Sequence, residues 1–161
     1  MAWSTIFVLW HKVEESGMWY GEYLHKLDNK DRFVLPAKFR EKIKAFESKI
    51  FYITRGLEGC LFMFSKDVWQ TLEEKLKSVS FTKQEGRSFN RLYFSGAQEI
   101  EVDSQGRVFI PSYLKEFSQI KRDIVIVGVG DRIEIWDKEC WGRFYQENKK
   151  KFESAAENLF I

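Results

Sequence analysis

Two arginines in this chain each lie four residues after an aspartate, in a frame that occurs twice. The frame is apolar-Asp-x-x-x-Arg-x-x-apolar-Pro, and its copies are LDNKDRFVLP at 27–36 and VDSQGRVFIP at 102–111. Asp28 and Asp103 can accept hydrogen bonds from the backbone N–H groups that follow them. Arg32 and Arg107 can pair with these carboxylates and make the turn rigid. The frame therefore predicts two turns, each with its own Asp–Arg pair.

The acidic, histidine and cysteine residues do not form a recognisable active site. Asp28 and Asp103 resemble a catalytic pair, but the sequence has no catalytic histidine, nucleophilic serine elbow or glycine-rich phosphate loop to accompany them. His25 has no neighbouring second histidine or cysteine pair. Cys60 and Cys140 have neither a disulfide framework nor metal-ligand spacing. We predict no enzyme, no metal, no cofactor and no small-molecule substrate.

Composition is typical of a globular protein that associates with itself. The chain has 161 residues, 44% of them hydrophobic, and its net charge of +2 neither requires nor excludes a nucleic-acid partner. Fifteen Phe, six Trp and six Tyr favour half-buried strands and interfaces. The sequence has neither an apolar run of membrane-spanning length nor the pattern of a signal peptide. We expect a cytoplasmic protein with no membrane partner.

The elements that must position the two frames also occur twice. AKFRE after Pro36 aligns with SYLKE after Pro111, and each segment is predicted to begin a helix with proline as its first residue. IFYIT at 50–54 aligns with DIVIV at 123–127, and both are predicted to be buried strands. Each half therefore has the predicted order strand, turn, strand, short helix, strand, hairpin, strand, helix.

The last strand and helix of each half follow the same pattern. CLFMFSKDVW at 60–69 aligns with IEIWDKECW at 133–141. Ser65 and Asp137 occupy the positions where a helix N-cap is expected. The helices after these caps are predicted at 66–78 and 138–152.

Each frame is predicted to form a hairpin around an Asx-type turn. In this prediction the segment before the aspartate pairs with the segment after the arginine. Gly106 suits the position that needs a positive φ, whereas the first copy has Asp31 there. Aspartate tolerates the left-handed region at some cost, so we expect slight strain in the first turn.

The two halves are predicted to complete one mainly β, α+β structure with short helices and pseudo-twofold symmetry. Thr82 and Glu85 match a capping box, and Phe89, Leu92 and Tyr93 form an apolar helical stripe. These residues predict a linking helix at 83–95. The expected divisions are an N-terminal extension at 1–17, a first repeat at 18–80, a linker at 81–95 and a second repeat at 96–161. A native start at Met18 is the simplest account of the extension.

Three segments of the chain together resemble the MraZ family, bacterial regulators linked to the division and cell-wall gene cluster. These segments are GEYLHKLDNKDRFVLPAKFRE, NRLYFSGA and VDSQGRVFIPSYLKE, and the likeness covers residues 18–161. A single frame would indicate only the broader AbrB-like superfamily. The resemblance implies a tandem-repeat swapped-hairpin or double-split β-barrel, protomers in a ring, and binding to short promoter repeats at the nucleoid. Asp31 and the residues before Met18 depart from the family pattern.

The resemblance also implies which side chains contact double-stranded DNA. Between residues 28 and 49 there are seven basic residues against four acidic ones. We favour Arg32 over Arg107 because Lys30 lies beside Arg32, where the second copy has the neutral Gln105. The remaining candidates lie on the helix after Pro36, where a solvated helix face is an equal alternative to phosphate contact. They are Lys38 and Arg40, with Lys42 and Lys44.

Two function classes compete with a DNA-binding regulator. The first is an AbrB-like protein-interaction module such as an antitoxin. The C-terminal ENKKKFESAAENLFI predicts a helix rather than the long disordered arm with which such a protein wraps its partner. The second is an enzyme, for which the sequence offers no convergent polar constellation.

Overall fold

The computed structural model describes residues 18–160, and the predicted extension at 1–17 lies outside this range. Its strands are β1 Trp19–Lys26, β2 Arg32–Val34, β3 Ile50–Arg55, β4 Leu61–Ser65, β5 Gln98–Glu101, β6 Arg107–Phe109, β7 Asp123–Gly130 and β8 Ile133–Asp137. Its helices are α1 Ala37–Lys44, α2 Lys66–Lys77, α3 Gln84–Gly96, α4 Ser112–Phe117, α5 Lys138–Asn148 and α6 Phe152–Leu159. The order of elements predicted for each half is confirmed.

The strands form a six-stranded antiparallel sheet and a separate two-stranded ribbon. The sheet has the order β1-β7-β8-β4-β3-β5, and the ribbon is β2 paired with β6. Exchanging the two halves leaves this order unchanged, because β1 corresponds to β5, β7 to β3 and β8 to β4. A pseudo-twofold axis therefore passes between β4 and β8 and between β2 and β6. The prediction of a mainly β, α+β fold is confirmed.

The strands on either side of each frame turn do not pair with each other, so the predicted hairpin partners are wrong. Instead, β1 pairs with β7 over its whole length, from Trp19 opposite Gly130 to Lys26 opposite Asp123. β2 has only three residues, so a ladder with β7 satisfies many more backbone groups of β1 than one with β2 could. Each half consequently contributes strands that pair with strands of the other half.

Alternate residues of the sheet enter two separate cores. On one face, Ile124 and Ile126 pack under α1, α4 and the inner side of the ribbon. On the opposite face, Val125 and Val127 belong to a core covered by α2, α3 and α5. This period of two is typical of a sheet buried on both faces. The β2–β6 ribbon thus lies on one outer surface with its inner side chains, Phe33 and Val108, fully buried.

Several helix ends differ slightly from prediction. Pro36 and Pro111 lie at the N-cap instead of the first helical position, and α3 has Lys83 as its N-cap. The hydroxyl of Thr82 lies 2.7 Å from that of Ser80, so the predicted capping box does not form. Asp137 caps α5 by accepting the N–H groups of Glu139 and Cys140, whereas the Ser65 hydroxyl makes no bond to the N-terminus of α2.

The predicted helix at 138–152 is interrupted. A 3-10 turn at Lys149–Lys151 separates α5 from α6. Three consecutive lysines repel one another, and the Asn148 side chain donates to the Phe144 carbonyl at 2.9 Å, which weakens the helix at this point. Among the helices of residues 18–160, none is both long and apolar enough to cross a bilayer.

Candidate nucleic-acid interface

The first frame turn is organised by the carboxylate of Asp28. Its Oδ1 accepts the backbone N–H of Lys30 at 2.8 Å and that of Arg32 at 3.0 Å. Its Oδ2 accepts Nε–H of Arg32 at 2.9 Å. The backbone N–H of Asp28 in turn donates to the Arg32 carbonyl at 2.8 Å. One carboxylate therefore fixes both the backbone of the turn and the Nε end of the arginine guanidinium.

The second turn repeats this geometry. Asp103 Oδ1 accepts the N–H groups of Gln105 and Arg107, both at 2.9 Å, and its Oδ2 accepts Nε–H of Arg107 at 2.6 Å. Side chains of the two arginines are 28% and 30% exposed. Within residues 18–160, their terminal guanidinium nitrogens make no hydrogen bond to another residue.

Both turn aspartates are held in their ionised form. The backbone N–H of Arg32 is the main cause that lowers the pKa of Asp28, with smaller effects from the Lys30 N–H and the Arg32 guanidinium. The backbone N–H of Arg107 likewise lowers the pKa of Asp103, assisted by the Arg107 side chain. Hydrogen bonds to a carboxylate favour its charged form.

We expect the turns to lose stability in acid. A carboxyl group whose pKa is lowered by folding stabilises the fold above its unfolded pKa, about 4, and this contribution disappears as the pH falls through the folded pKa. In the variant Asp28→Asn/Asp103→Asn each side chain keeps one oxygen to accept the backbone N–H groups, but it loses the charge and the acceptor of the arginine Nε–H. The melting temperature of this variant should lie below wild type at pH 7, and the difference should shrink below about pH 4. A difference that stays constant in calorimetry across this range would contradict the assignment.

The two turns differ at the position of positive φ, as predicted. Gly106 has φ +76° and Asp31 has φ 55°. The Asp31 carboxylate accepts Nζ–H of Lys115 from α4 at 2.8 Å. At the second turn, the stem of Arg40 from α1 lies directly over Gly106. Each turn is therefore covered by a basic residue from the helix of the other half.

The β2–β6 ribbon brings the two motif arginines onto one face. Its register places Arg32 opposite Phe109 and Val34 opposite Arg107. Residues opposite each other in a ladder share a face, and residues two apart in one strand do as well. The outer face thus carries two arginines on one diagonal and two apolar side chains on the other. Val34 is 38% exposed and Phe109 is 50% exposed.

Three basic residues in α1 and in the loop after it have partners within the chain. Lys42 donates to the Met18 carbonyl and lies over the Trp19 ring, and burial lowers its pKa. Lys44 pairs with Glu41 at 3.0 Å. Lys49 donates to the carbonyls of Ile43 and Phe46 at the end of α1, so its charge stabilises a helix C-terminus. Each of the three lysines therefore has a partner within the chain, and contact of Lys42 or Lys44 with DNA stays a prediction.

The other predicted site residues are exposed at different distances from the ribbon. Lys30 lies in the first turn beside Arg32, and Arg40 lies against the second turn. Lys38 is exposed on α1, and no contact in the described structure brings it to the ribbon. Sequence reasoning missed Lys115, Val34 and Phe109. The alignment of SYLKE with AKFRE, which pairs Lys115 with Arg40, was the available signal for the first of these.

Comparison with known families agrees with this two-fold organisation. The family described as "MraZ protein, putative antitoxin-like" matches the chain twice, at residues 18–92 and 93–161. The two matches meet inside α3, the helix that links the halves. Together they include both frame turns and all of the strands described above. The chain belongs to the MraZ family.

Proposed function

We propose that this protein is a sequence-specific DNA-binding transcription regulator and that the outer face of the β2–β6 ribbon contacts the bases. The observation that carries the proposal is the placement of Arg32 and Arg107 on one exposed face, each fixed at Nε by an aspartate. An arginine held in this way can direct its terminal nitrogens at the O6 and N7 atoms of guanine. A two-stranded ribbon fits the width of the major groove.

The apolar and basic neighbours of the two arginines suit the same partner. Val34 and Phe109 can contact thymine methyl groups, which are the apolar feature of the major groove. Lys30 and Arg40 lie at the two turns, where they can contact phosphates on either side of the groove, and Lys38 is a more distant candidate. The ribbon then determines sequence preference, and the turn cations supply affinity that depends on salt.

We further propose that the protein acts as a ring of protomers on tandem promoter repeats, in the cytoplasm at the nucleoid, and that it regulates the division and cell-wall gene cluster. The exchange of strands between halves supports a swapped-hairpin barrel in each protomer. A single ribbon makes few contacts, and several ribbons on one ring raise the effective concentration of each next contact. The repeats should recur at about 10 bp, one helical turn.

Exposed apolar residues support self-association. A groove of about 160 Å³ is lined in part by Leu57, Phe89, Leu92 and Phe117. Leu57 is 58% exposed and Leu92 is 60% exposed. A cluster of this kind on a soluble surface is typical of a protein interface.

We expect Leu92→Glu to dissociate the oligomer, because a carboxylate buried in an apolar interface without a partner is strongly unfavourable. Light scattering coupled to gel filtration should show a mass near that of one chain, 19.2 kDa. Gln84→Glu adds the same charge to an exposed position of the same helix and should leave the mass of the oligomer unchanged. Equal masses for wild type and Leu92→Glu would place the interface elsewhere.

The proposed activity is tested by titrating the protein into fluorescent DNA from upstream of its own gene and into a scrambled control, across a salt series. Regulator function predicts tighter binding to the upstream DNA and a log affinity that falls linearly with log salt. Equal affinity for both DNAs, or no binding at any salt, would reject the proposal.

Those negative outcomes would favour interaction with a protein partner, in keeping with the words "antitoxin-like" in the family description. The specific observation for that alternative is α6, whose Phe152 and Leu159 are 76% and 78% exposed. A helix with such a face suits a protein groove.

A further inference from the structure

Each frame turn is held by the helix of the opposite half, but the two contacts differ in chemistry. Lys115 of α4 donates to Asp31 Oδ1 at 2.8 Å, across 84 positions of sequence. At the second turn a Cβ added to Gly106 would lie 2.3 Å from Cδ of Arg40, so the arginine stem packs on the bare glycine backbone. Lys115 and Arg40 occupy equivalent places in SYLKE and AKFRE.

The first turn has a specific need for this contact. Asp31 adopts φ 55°, a region that side chains other than Asn and Asp seldom enter. Its carboxylate is 36% exposed and the Lys115 side chain 31%, so solvent screens the pair only in part. The Asp31 carbonyl also accepts the N–H of Ile110 at 2.9 Å. The pair with Lys115 thus adds a side-chain restraint to a backbone that is already fixed to the other half.

Arg32 follows Asp31 directly in the chain. Its backbone N–H and its Nε both depend on the position of the Asp28 carboxylate at the start of the same turn. Movement of Asp31 therefore moves the arginine that the proposed function places on the bases. By contrast, Lys115 itself lies on α4 and is not part of the ribbon.

We propose, building on the function proposed above, that Lys115 is a positioning residue that aims Arg32 at DNA by clamping Asp31. The clamp compensates for the absence of glycine at position 31. It also couples the two halves, since α4 of the second repeat sets the geometry of the turn in the first repeat. Without the Lys115–Asp31 pair, the Arg32 guanidinium keeps its charge and its hydrogen-bond donors, but its orientation is less well fixed.

The main competing role for Lys115 is direct contact with a phosphate. The two roles predict different salt dependences, because each lost phosphate contact reduces the slope of log affinity against log salt by about 0.9. A positioning lysine changes affinity without changing that slope. The two roles also differ in the Asp31→Gly background, where a clamp has nothing to hold and a phosphate contact persists.

The first experiment needs no DNA. Melting temperatures are compared for wild type, Lys115→Met, Asp31→Gly and the double variant. We expect Lys115→Met to lower the melting temperature by about 2–4 °C in wild type and by about 0 °C in Asp31→Gly. Lys77→Met, which breaks an exposed pair with Glu74, controls for the loss of a surface lysine and should have no such dependence on Asp31. Equal effects of Lys115→Met in both backgrounds would overturn the clamp.

The second experiment titrates the same variants with the upstream DNA across a salt series. We expect Lys115→Met to weaken binding by about three- to tenfold with an unchanged slope, Lys115→Arg to restore affinity, and Asp31→Gly to abolish the effect. A smaller slope, with a loss that persists in Asp31→Gly, would overturn positioning in favour of phosphate contact. The positioning role is also wrong if the melting temperatures show that Lys115 and Asp31 are coupled but Lys115→Met leaves DNA affinity unchanged. Absence of DNA binding by wild type would reject the proposed function, while the melting cycle would still decide the clamp.

Discussion

Arg32→Ala is expected to weaken binding to the upstream DNA by about ten- to a hundredfold, because a bidentate contact with guanine is worth roughly 1–3 kcal/mol. Arg32→Lys should lose most of the same affinity, since an ammonium group keeps the charge but lacks the planar fork. Affinity for scrambled DNA should fall much less. Anisotropy titrations at a fixed salt concentration measure these differences.

Two further variants are compared with Arg32→Ala, the first as a control and the second as the equivalent change in the other frame. Lys77→Ala removes a cation from α2, where Lys77 pairs with Glu74 at 2.6 Å, and should leave the preference for upstream DNA unchanged. Arg107→Ala should have the smaller effect of the two motif variants, because Gln105 stands where the first turn has Lys30. Equal losses from Arg32→Ala and Lys77→Ala would mean that only total charge matters. Gel filtration of each variant shows whether the oligomer is intact.

Gly128→Ala is expected to lower the free energy of unfolding by about 2–3 kcal/mol, and the melting temperature by about 5–10 °C. A Cβ at this position would lie 2.3 Å from the backbone nitrogen of Tyr20 and 2.5 Å from the carbonyl carbon of Trp19. Backbone atoms cannot move aside as a side chain does, so β1 would have to shift from β7. β1 leads directly into the first frame turn, and DNA affinity should fall with stability.

Gly142→Ala is the matched control for this substitution. A Cβ at Gly142 meets nothing within 4 Å, and the residue lies inside α5. Alanine is favoured over glycine in a helix, so this variant should gain about 0.5–1 kcal/mol. Denaturant unfolding of both variants gives the comparison. A neutral Gly128→Ala would show that β1 and β7 are less closely paired than the register indicates.

The local features of the frame could be predicted from sequence because they depend on neighbouring residues. An aspartate two and four residues before free N–H groups can form an Asx turn through local contacts alone, and Asp28 and Asp103 both do so. The positive φ at Asp31 followed from its alignment with Gly106. Periodicity and caps likewise located the helices within a few residues.

The partners of β1 and β2 could not be predicted in the same way. The motif suggested a hairpin, yet β1 pairs with β7, about a hundred residues later in the chain. Strand pairing of this kind depends on which ladder satisfies the most backbone groups in the whole fold. The Lys115–Asp31 pair is hidden for the same reason, because two residues 84 positions apart meet only after the strands have exchanged.

The most direct test of the ribbon as the DNA-binding surface is photo-crosslinking. A benzoylphenylalanine is placed at Phe109, in the outer face of the ribbon, or at Phe152, which is 76% exposed on α6. The ribbon interface predicts that the Phe109 probe crosslinks to the upstream DNA within the repeats and that the Phe152 probe does not. Crosslinks from Phe152 alone, with DNA affinity retained in both proteins, would contradict the assignment of the interface.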